Sequence, residues 1–165
     1  MMYRPGWPST PVLSGAIGVC LFVAGLEPAA QKRYPIFTLN DLVNTMKMVD
    51  RNVGGANAAL AANDFATAKA RNTRAREQLA TTITFWRDHK KDDAIKALRT
   101  TLARMDDLDT ALSTEKVDAS AATGLARQVA AACESCHAVY RDRDPATNAY
   151  RLKPGTVDLQ SGVSK

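Results

Sequence analysis

The chain of 165 residues is poor in aromatic side chains, which make up only 6% of the sequence. Aromatic residues are enriched in β-strands, so their scarcity argues against a fold built mainly from sheets. Glycine and proline are also few, at nine and seven residues, whereas apolar residues make up 45% of the chain. Such a composition suits one globular domain and excludes a disordered chain. It therefore predicts a single all-α domain.

No apolar run reaches the length that usually crosses a membrane. The longest, Val12–Leu26, is shorter than the roughly 20 residues that span a bilayer. Arg4 precedes this run and small residues such as Ala30 follow it, which is the layout of a secretory signal peptide. Residues 1–30 are therefore predicted to be a signal peptide that sends the chain to the periplasm, with a retained, tilted membrane anchor as the alternative.

Cysteine and histidine are scarce, with three and two residues in the whole chain. Two of the cysteines and one histidine nevertheless lie together in the sequence Cys-Glu-Ser-Cys-His at residues 133–137. This C-x-x-C-H pattern is typical of covalent haem attachment. On a helix, Cys133 and Cys136 lie on nearly the same face and form thioethers to the two vinyl groups, while His137 binds the iron as an axial ligand. The motif therefore predicts one covalently bound haem c.

Three other interpretations of this motif explain less of it. A disulfide between Cys133 and Cys136 would suit an exported protein but leaves His137 without a role. A zinc site needs four ligands, and the only other histidine, His89, is distant in the sequence. A redox-active dithiol of the thioredoxin kind needs a βαβ context, and no such pattern surrounds the motif.

Apolar residues recur at spacings of three and four along four segments, which predicts four amphipathic helices. The first begins at a capping box of Thr38 and Asp41, the second follows Asp64 and ends near His89, the third begins at Asp92, and the fourth runs from about Asp118 to Arg141. Short connections make neighbouring helices antiparallel, so residues 31–141 are predicted to form an up-down-up-down four-helix bundle. Within the first helix, Gly54 and Gly55 predict either a bend or the close approach of a haem face. Residues 142–165 lose the periodicity and are predicted to be an irregular tail.

The attachment motif at the end of the fourth helix, followed by Tyr140 and Arg141, resembles that of the class II c-type cytochromes. These are cytochrome c′ and its low-spin relatives of the cytochrome c-556 kind. The resemblance covers roughly residues 38–141, with a specific motif and, for the remainder, a pattern of helices. It implies a bundle with haem attached on the last helix and Arg141 near a haem propionate. The family commonly ends soon after its motif, so the resemblance implies no role for the tail.

The resemblance also implies two alternatives for the sixth position of the iron. A methionine from the first helix fills it in the low-spin members, whereas cytochrome c′ leaves it open. Met46 and Met48 are the candidates. At about 100° per residue, Met46 falls with Leu42 and Val53 on the apolar stripe of the helix, whereas Met48 faces away. Met46 is therefore the predicted distal ligand, with ordinary core packing as the alternative.

These features favour a periplasmic electron carrier over an enzyme, because His89 is the only other histidine and no distal acid-base pair is found. A five-coordinate haem protein that binds a gas such as nitric oxide is one alternative. An accessory haem subunit of a membrane electron-transfer complex is another. The formal net charge of +5 favours acidic redox partner proteins or anionic membrane surfaces. A homodimer is a further expected association, and export argues against a nucleic-acid partner.

Overall fold

The computed structural model describes residues 38–157 as five α-helices followed by a small sheet. The helices are α1 (Leu39–Ala61), α2 (Phe65–Thr81), α3 (Ile83–Asp88), α4 (Asp92–Ala111) and α5 (Ala119–Tyr140), and the strands are β1 (Arg141–Arg143) and β2 (Tyr150–Leu152). The predicted all-α class is confirmed for this part of the chain, apart from the two-stranded sheet. None of these helices is long and apolar enough to cross a membrane. The predicted signal peptide, residues 1–30, lies outside the described residues.

Three helices begin where the sequence predicts, and each has a side-chain cap. The Thr38 hydroxyl accepts a hydrogen bond from the Asp41 amide at 3.2 Å, and the Asp41 carboxylate accepts one from the Thr38 amide at 2.9 Å. This is the predicted capping box of α1. The Asp64 carboxylate accepts from the Thr67 amide at 3.0 Å at the start of α2. The Asp118 carboxylate accepts from two backbone amides at the start of α5.

Two helix boundaries differ from the prediction. The predicted second helix is divided at Thr82 into α2 and α3, which ends just before His89. The buried Thr82 hydroxyl donates to the Leu79 carbonyl oxygen at 2.7 Å and so competes with the backbone hydrogen bonds of a continuous helix. At the start of α4, the cap is Lys91, without a side-chain hydrogen bond, and Asp92 is the first helical residue. The negative charge of the Asp92 carboxylate still interacts favourably with the positive end of the helix dipole.

The glycine pair in α1 does not interrupt the helix, which continues through both residues. A Cβ atom at Gly55 would lie 3.4 Å from the Cδ atom of Arg71 on α2, whereas one at Gly54 would meet nothing within 4 Å. The group that approaches Gly55 closely in the structure is therefore the Arg71 side chain of α2.

The hydrophobic core lies between the four long helices. α1 packs along α2, α2 along α4, and α4 along α5, whereas α1 and α5 meet over a smaller area. Alanines without exposed surface let the helices approach closely: Ala68, Ala75, Ala94 and Ala122. The largest completely buried side chains are Phe85 of α3 and Met105 of α4. α1 and α5 are therefore the least closely joined pair of neighbouring long helices.

The residues after α5 form a short hairpin, so the predicted irregular tail is wrong for the two strands. β1 and β2 pair antiparallel, with Arg143 opposite Tyr150. In the turn, the Asp144 carboxylate accepts hydrogen bonds from two backbone amides. Asn148 adopts a left-handed backbone conformation with φ of 57°, which asparagine tolerates better than most residues. Residues 158–165 of the predicted tail lie outside the described residues.

Candidate functional site

The residues of the predicted attachment motif lie in the last two turns of α5, which ends at Tyr140. Cys133, Cys136 and His137 are all half-buried, and the two cysteines pack against the hydrophobic core. Spacings of three and four place these side chains on one face of the helix. Both thiols are free, so the structure contains no disulfide between them.

Burial raises the pKa of both thiols of the motif. It raises the pKa of Cys133 to about 11, and the neighbouring Cys136 and Glu134 add to this effect. Burial also raises the pKa of Cys136, with a smaller contribution from the Asp93 carboxylate of α4. Redox-active dithiols instead contain a cysteine whose pKa is lowered. The electrostatics of the pair therefore argue against a thioredoxin-like function.

The His137 imidazole lies beside the cysteines and has a ring nitrogen without a partner. Its Nδ1 atom is buried and makes no hydrogen bond, since the Glu134 Oε1 atom lies 3.9 Å away, too far for one. Burial lowers the pKa of His137, and the positive charge of Arg141 lowers it further. The imidazole is therefore neutral at pH 7, which is the form that binds metals. No described residue forms a hydrogen bond with this Nδ1 atom.

Helix α1 faces the motif across a junction that we term the α1/α5 seam, formed by residues 46–53 of α1 and 133–137 of α5. The Asp50 carboxylate is close enough to act on two groups of the motif. Its charge adds to the raised pKa of Cys133 and opposes the lowered pKa of His137, in both cases with a smaller effect than burial. Among the described residues, no hydrogen bond or ion pair joins α1 to α5.

Met46, the predicted distal ligand, lies on α1 one turn before Asp50. It is half-buried and packs against the hydrophobic core. Met48 is 37% exposed, and its sulfur atom lies 3.9 Å from the Nε2 atom of Gln78 on α2. The structure therefore separates the two methionines as their helical angles predict. Ligation of iron by Met46 stays a prediction.

Arg141 lies where α5 ends and β1 begins, close to the motif. Its Nη2 atom is 3.7 Å from the Glu134 Oε1 atom, and its guanidinium carbon is 4.2 Å from the centre of the Tyr150 ring. The residue that the resemblance places near a propionate is thus near the motif. Sequence reasoning missed the contacts with Glu134 and Tyr150, because the contact with Tyr150 depends on how the hairpin folds back towards α5.

Two buried aromatic side chains, Trp86 of α3 and Tyr140 of α5, pack together beyond the motif. Their ring centres are 4.8 Å apart. The Tyr140 hydroxyl is buried; burial raises its pKa, and the nearby Asp93 carboxylate of α4 adds to this effect. A buried hydroxyl and a carboxylate therefore lie close together one turn beyond His137.

His89 is engaged elsewhere, at the end of α3. Its Nδ1 atom is 2.7 Å from the Phe85 carbonyl oxygen, and its ring packs against the Phe85 ring with centres 4.2 Å apart and planes tilted by 34°. Across residues 38–157, no three His, Cys, Asp or Glu side chains come together as a site for a bare metal ion. A haem iron needs no such group, because the porphyrin supplies four of its ligands.

The donor set around the motif fits a covalently attached haem. It consists of two neutral thiols on one helix face, a neutral imidazole with an unpartnered nitrogen, and a nearby guanidinium. Comparison of the chain with protein-family models, with curated proteins and with solved structures gave no match. The resemblance to class II cytochromes therefore rests on the motif and the helix pattern alone.

Proposed function

We propose that the chain is a monohaem c-type cytochrome that carries electrons in the periplasm. Cys133 and Cys136 would hold the haem through thioethers, with His137 as an axial ligand. The observation that carries this proposal is the grouping of two half-buried thiols and a neutral, half-buried imidazole on one face of α5. Attachment would use both thiols, and the imidazole would bind the iron.

The order of helix packing supports the predicted bundle topology. α1 lies along α2, α2 along α4, and α4 along α5, and the connections between successive helices are short. Short connections favour antiparallel neighbours. We therefore propose an up-down-up-down four-helix bundle in which α5 carries the haem and α1 faces it across the α1/α5 seam.

When bound, a c-type haem supplies an iron that takes up and releases single electrons. The protein's own residues hold and orient it. Cys133 and Cys136 fix its position on α5, and the His137 imidazole is already in the neutral form that donates a lone pair. A Met46 thioether from α1 would keep the coordination unchanged between oxidation states and raise the reduction potential. Arg141 would place a positive charge beside a propionate.

Covalent attachment is tested by expressing the full chain together with haem maturation machinery. After extraction in denaturing acid, the haem should remain on the polypeptide, whose mass should exceed that of the bare chain by one haem. Replacing both Cys133 and Cys136 by alanine should abolish this, whereas Ser135→Ala, between them, should not. The proposal would be contradicted if the chain without substitutions carried no haem under these conditions.

A gas-binding protein with five-coordinate iron is the second candidate, because the neighbours of Met46 are apolar. Leu42 and Val49 are buried, and Val53 is half-buried against the core. If Met46 does not bind the iron, these side chains would surround an open position that suits a small neutral ligand such as nitric oxide. Absorption spectra decide between the two: a low-spin, six-coordinate iron supports the electron carrier, and a high-spin, five-coordinate iron supports gas binding.

Export rests on the N-terminal sequence alone. We propose that residues 1–30 are removed and that the mature protein lies in the periplasm. N-terminal sequencing of the protein from its native host should find a start between Leu26 and Gln31. Recovery of residues 1–25 in a membrane fraction would support the accessory subunit of a membrane complex instead.

A further inference from the structure

Tyr150 is a large aromatic side chain at the surface of the hairpin. It is 51% exposed, yet two guanidinium groups contact its ring. The guanidinium carbon of Arg141 lies 4.2 Å from the ring centre, and that of Arg143 lies 4.6 Å from it. Guanidinium groups stack favourably on aromatic faces. The exposed ring therefore packs mainly against charged groups.

The hydroxyl end of Tyr150 is held as well. Arg143 donates from Nη2 to the Tyr150 hydroxyl oxygen at 2.5 Å and from Nη1 to the Asn148 side-chain oxygen at 2.8 Å. Arg143 and Tyr150 lie opposite each other in the antiparallel pair, where cross-strand side chains stabilise each other. Arg143 therefore fixes the orientation of the ring on which Arg141 stacks.

The hairpin is joined to the last turn of α5. The Lys153 amide donates to the Tyr140 carbonyl oxygen at 2.9 Å, and the Lys153 ammonium donates to the Ala138 carbonyl oxygen at 2.7 Å. These bonds satisfy carbonyl groups that a helix end leaves free. Leu152 packs against the hydrophobic core. The hairpin therefore keeps a fixed position relative to the turn that carries His137.

Arg141 forms only a long ion pair within the described residues. Its one acidic partner is Glu134, at 3.7 Å, and the Glu134 side chain is 73% exposed. An exposed pair at this distance is weakened by solvent. Most of the donors of the guanidinium therefore remain free for another anion beside the motif.

We propose that Tyr150 is a positioning residue that holds the Arg141 guanidinium beside the haem-attachment site, where it receives a carboxylate of the bound haem. The inference rests on the proposed function. A flexible arginine loses rotamer freedom when it binds an anion, and stacking on Tyr150 imposes part of that loss before the haem is bound. The hairpin thereby gains a role in fixing the charge next to the haem.

The test is a double-mutant cycle on the reduction potential of the haem-loaded full chain. Arg141→Gln should lower the potential, because a nearby positive charge favours the reduced iron. Tyr150→Ile, which keeps the β-propensity of the strand, should lower it less. In the Tyr150→Ile background, Arg141→Gln should shift the potential by roughly half as much as in the unchanged chain, or less. Tyr150→Phe keeps the ring on which Arg141 stacks and loses only the hydrogen bond from Arg143, so it should lower the potential less than Tyr150→Ile does.

A second measurement does not need the haem. In the haem-free full chain, NMR relaxation of the Arg141 side-chain N–H should show an ordered group that becomes mobile in Tyr150→Ile and stays ordered in Tyr150→Phe. Slow exchange of the Lys153 amide shows that the hairpin still forms in a variant. Tyr150→Thr is measured as a second variant without the ring. The mobility of Arg141 is then compared between the unmutated chain and whichever of the two variants keeps the slow exchange of the Lys153 amide.

The outcomes separate the two proposals. Equal mobility of Arg141 with and without the ring, or an Arg141→Gln shift of the same size in both backgrounds, overturns the role of Tyr150. If the unmutated chain carries no covalent haem, the proposed function is contradicted instead. The NMR relaxation of the haem-free chain then still decides whether Tyr150 orders the Arg141 side chain.

Discussion

Helices α2 and α4 meet along a junction in which polar side chains find partners within the protein. Asn72 of α2 is 3% exposed, and its amide donates to the Met105 carbonyl oxygen of α4 at 2.9 Å. At the edge of the same junction, Arg76 donates through two nitrogen atoms to the Asp106 carboxylate. Nothing from outside the chain is needed to complete the α2/α4 junction.

The α1/α5 seam differs in each of these respects. Among the described residues, no polar contact crosses it, and the Nδ1 atom of His137 is buried without a partner. Cys133 and Cys136 are partly buried as free thiols whose pKa values are raised by burial. Native structures pair most of their buried polar groups. This difference between the two junctions is consistent with the proposal that a haem is attached in the α1/α5 seam.

The largest expected effect comes from a substitution in the α2/α4 junction. Met105 has no exposed surface, so Met105→Ala should lower the free energy of unfolding by about 2–5 kcal/mol. Because the proposed haem site lies in the α1/α5 seam and not in the α2/α4 junction, urea unfolding should show the same loss with and without haem. Met48→Ala is the matched control, and as a surface change it should stay within about 0.5 kcal/mol. A loss that appears only in the haem-loaded form would show that the two junctions are not independent.

Removing the buried Asn72 side-chain amide of the same junction should have a smaller effect. Asn72→Ala removes the hydrogen bond to the Met105 carbonyl oxygen and should lower the free energy of unfolding by about 1–3 kcal/mol. Asn57→Ala, at an exposed position of α1, controls for the change of residue type. If both variants unfold at the same urea concentration, the pairing of polar groups does not distinguish this junction from the α1/α5 seam.

The seam itself is tested by Met46→Leu in the haem-loaded protein. Leucine keeps the volume nearly constant, so the free energy of unfolding should fall by less than about 1.5 kcal/mol. The absorption spectrum should nevertheless change from low-spin to high-spin, and carbon monoxide should then bind readily. Met48→Leu, on the α2 side of the helix, should leave the spectrum unchanged. A low-spin spectrum that survives Met46→Leu would show that another group occupies the sixth position.

The smallest effect is a difference in pH dependence between the haem-free and haem-loaded forms. Burial raises the pKa of Cys133 from 9.0 to about 11, so the thiol stabilises the haem-free fold below pH 9 and this contribution is lost as the pH rises towards 11. A thioether does not titrate, so the haem-loaded form should lack this part of the decline. Urea midpoints measured from pH 8 to 11 test this.

Tyr140 also has a raised pKa, but it is present in both forms and cancels in the comparison. Because burial also raises the pKa of Cys136, replacing both Cys133 and Cys136 by alanine in the haem-free chain should reproduce the flatter curve. Parallel curves for the two forms would mean that the Cys133 thiol is still free in the protein prepared with haem.

Local signals in the sequence were sufficient for most helix boundaries. The Thr38 capping box and the Asp64 and Asp118 caps involve neighbours within three residues, so they are visible in the sequence. The division at Thr82 was missed because a threonine does not normally end a helix, and its effect arises from the burial of its hydroxyl. The hairpin was missed because strands of three residues with the sequence Arg-Asp-Arg show no apolar alternation.

The candidate site was predictable where its residues are close in sequence. Cys133, Cys136 and His137 follow from the motif, and the helical angle separates Met46 from Met48. The unpartnered Nδ1 atom of His137 was not predictable, because it depends on which groups fail to approach the ring.

The central claim is that Cys133 and Cys136 both carry one haem, and mass spectrometry of a single peptide tests it most directly. Trypsin cleavage after Arg127 and Arg141 releases residues 128–141, which contain the whole motif. From protein expressed with haem maturation machinery, this peptide should carry the mass of one haem, absorb visible light as haem does, and resist alkylation at both cysteines. A colourless peptide of unmodified mass whose two cysteines react with an alkylating reagent would contradict the account.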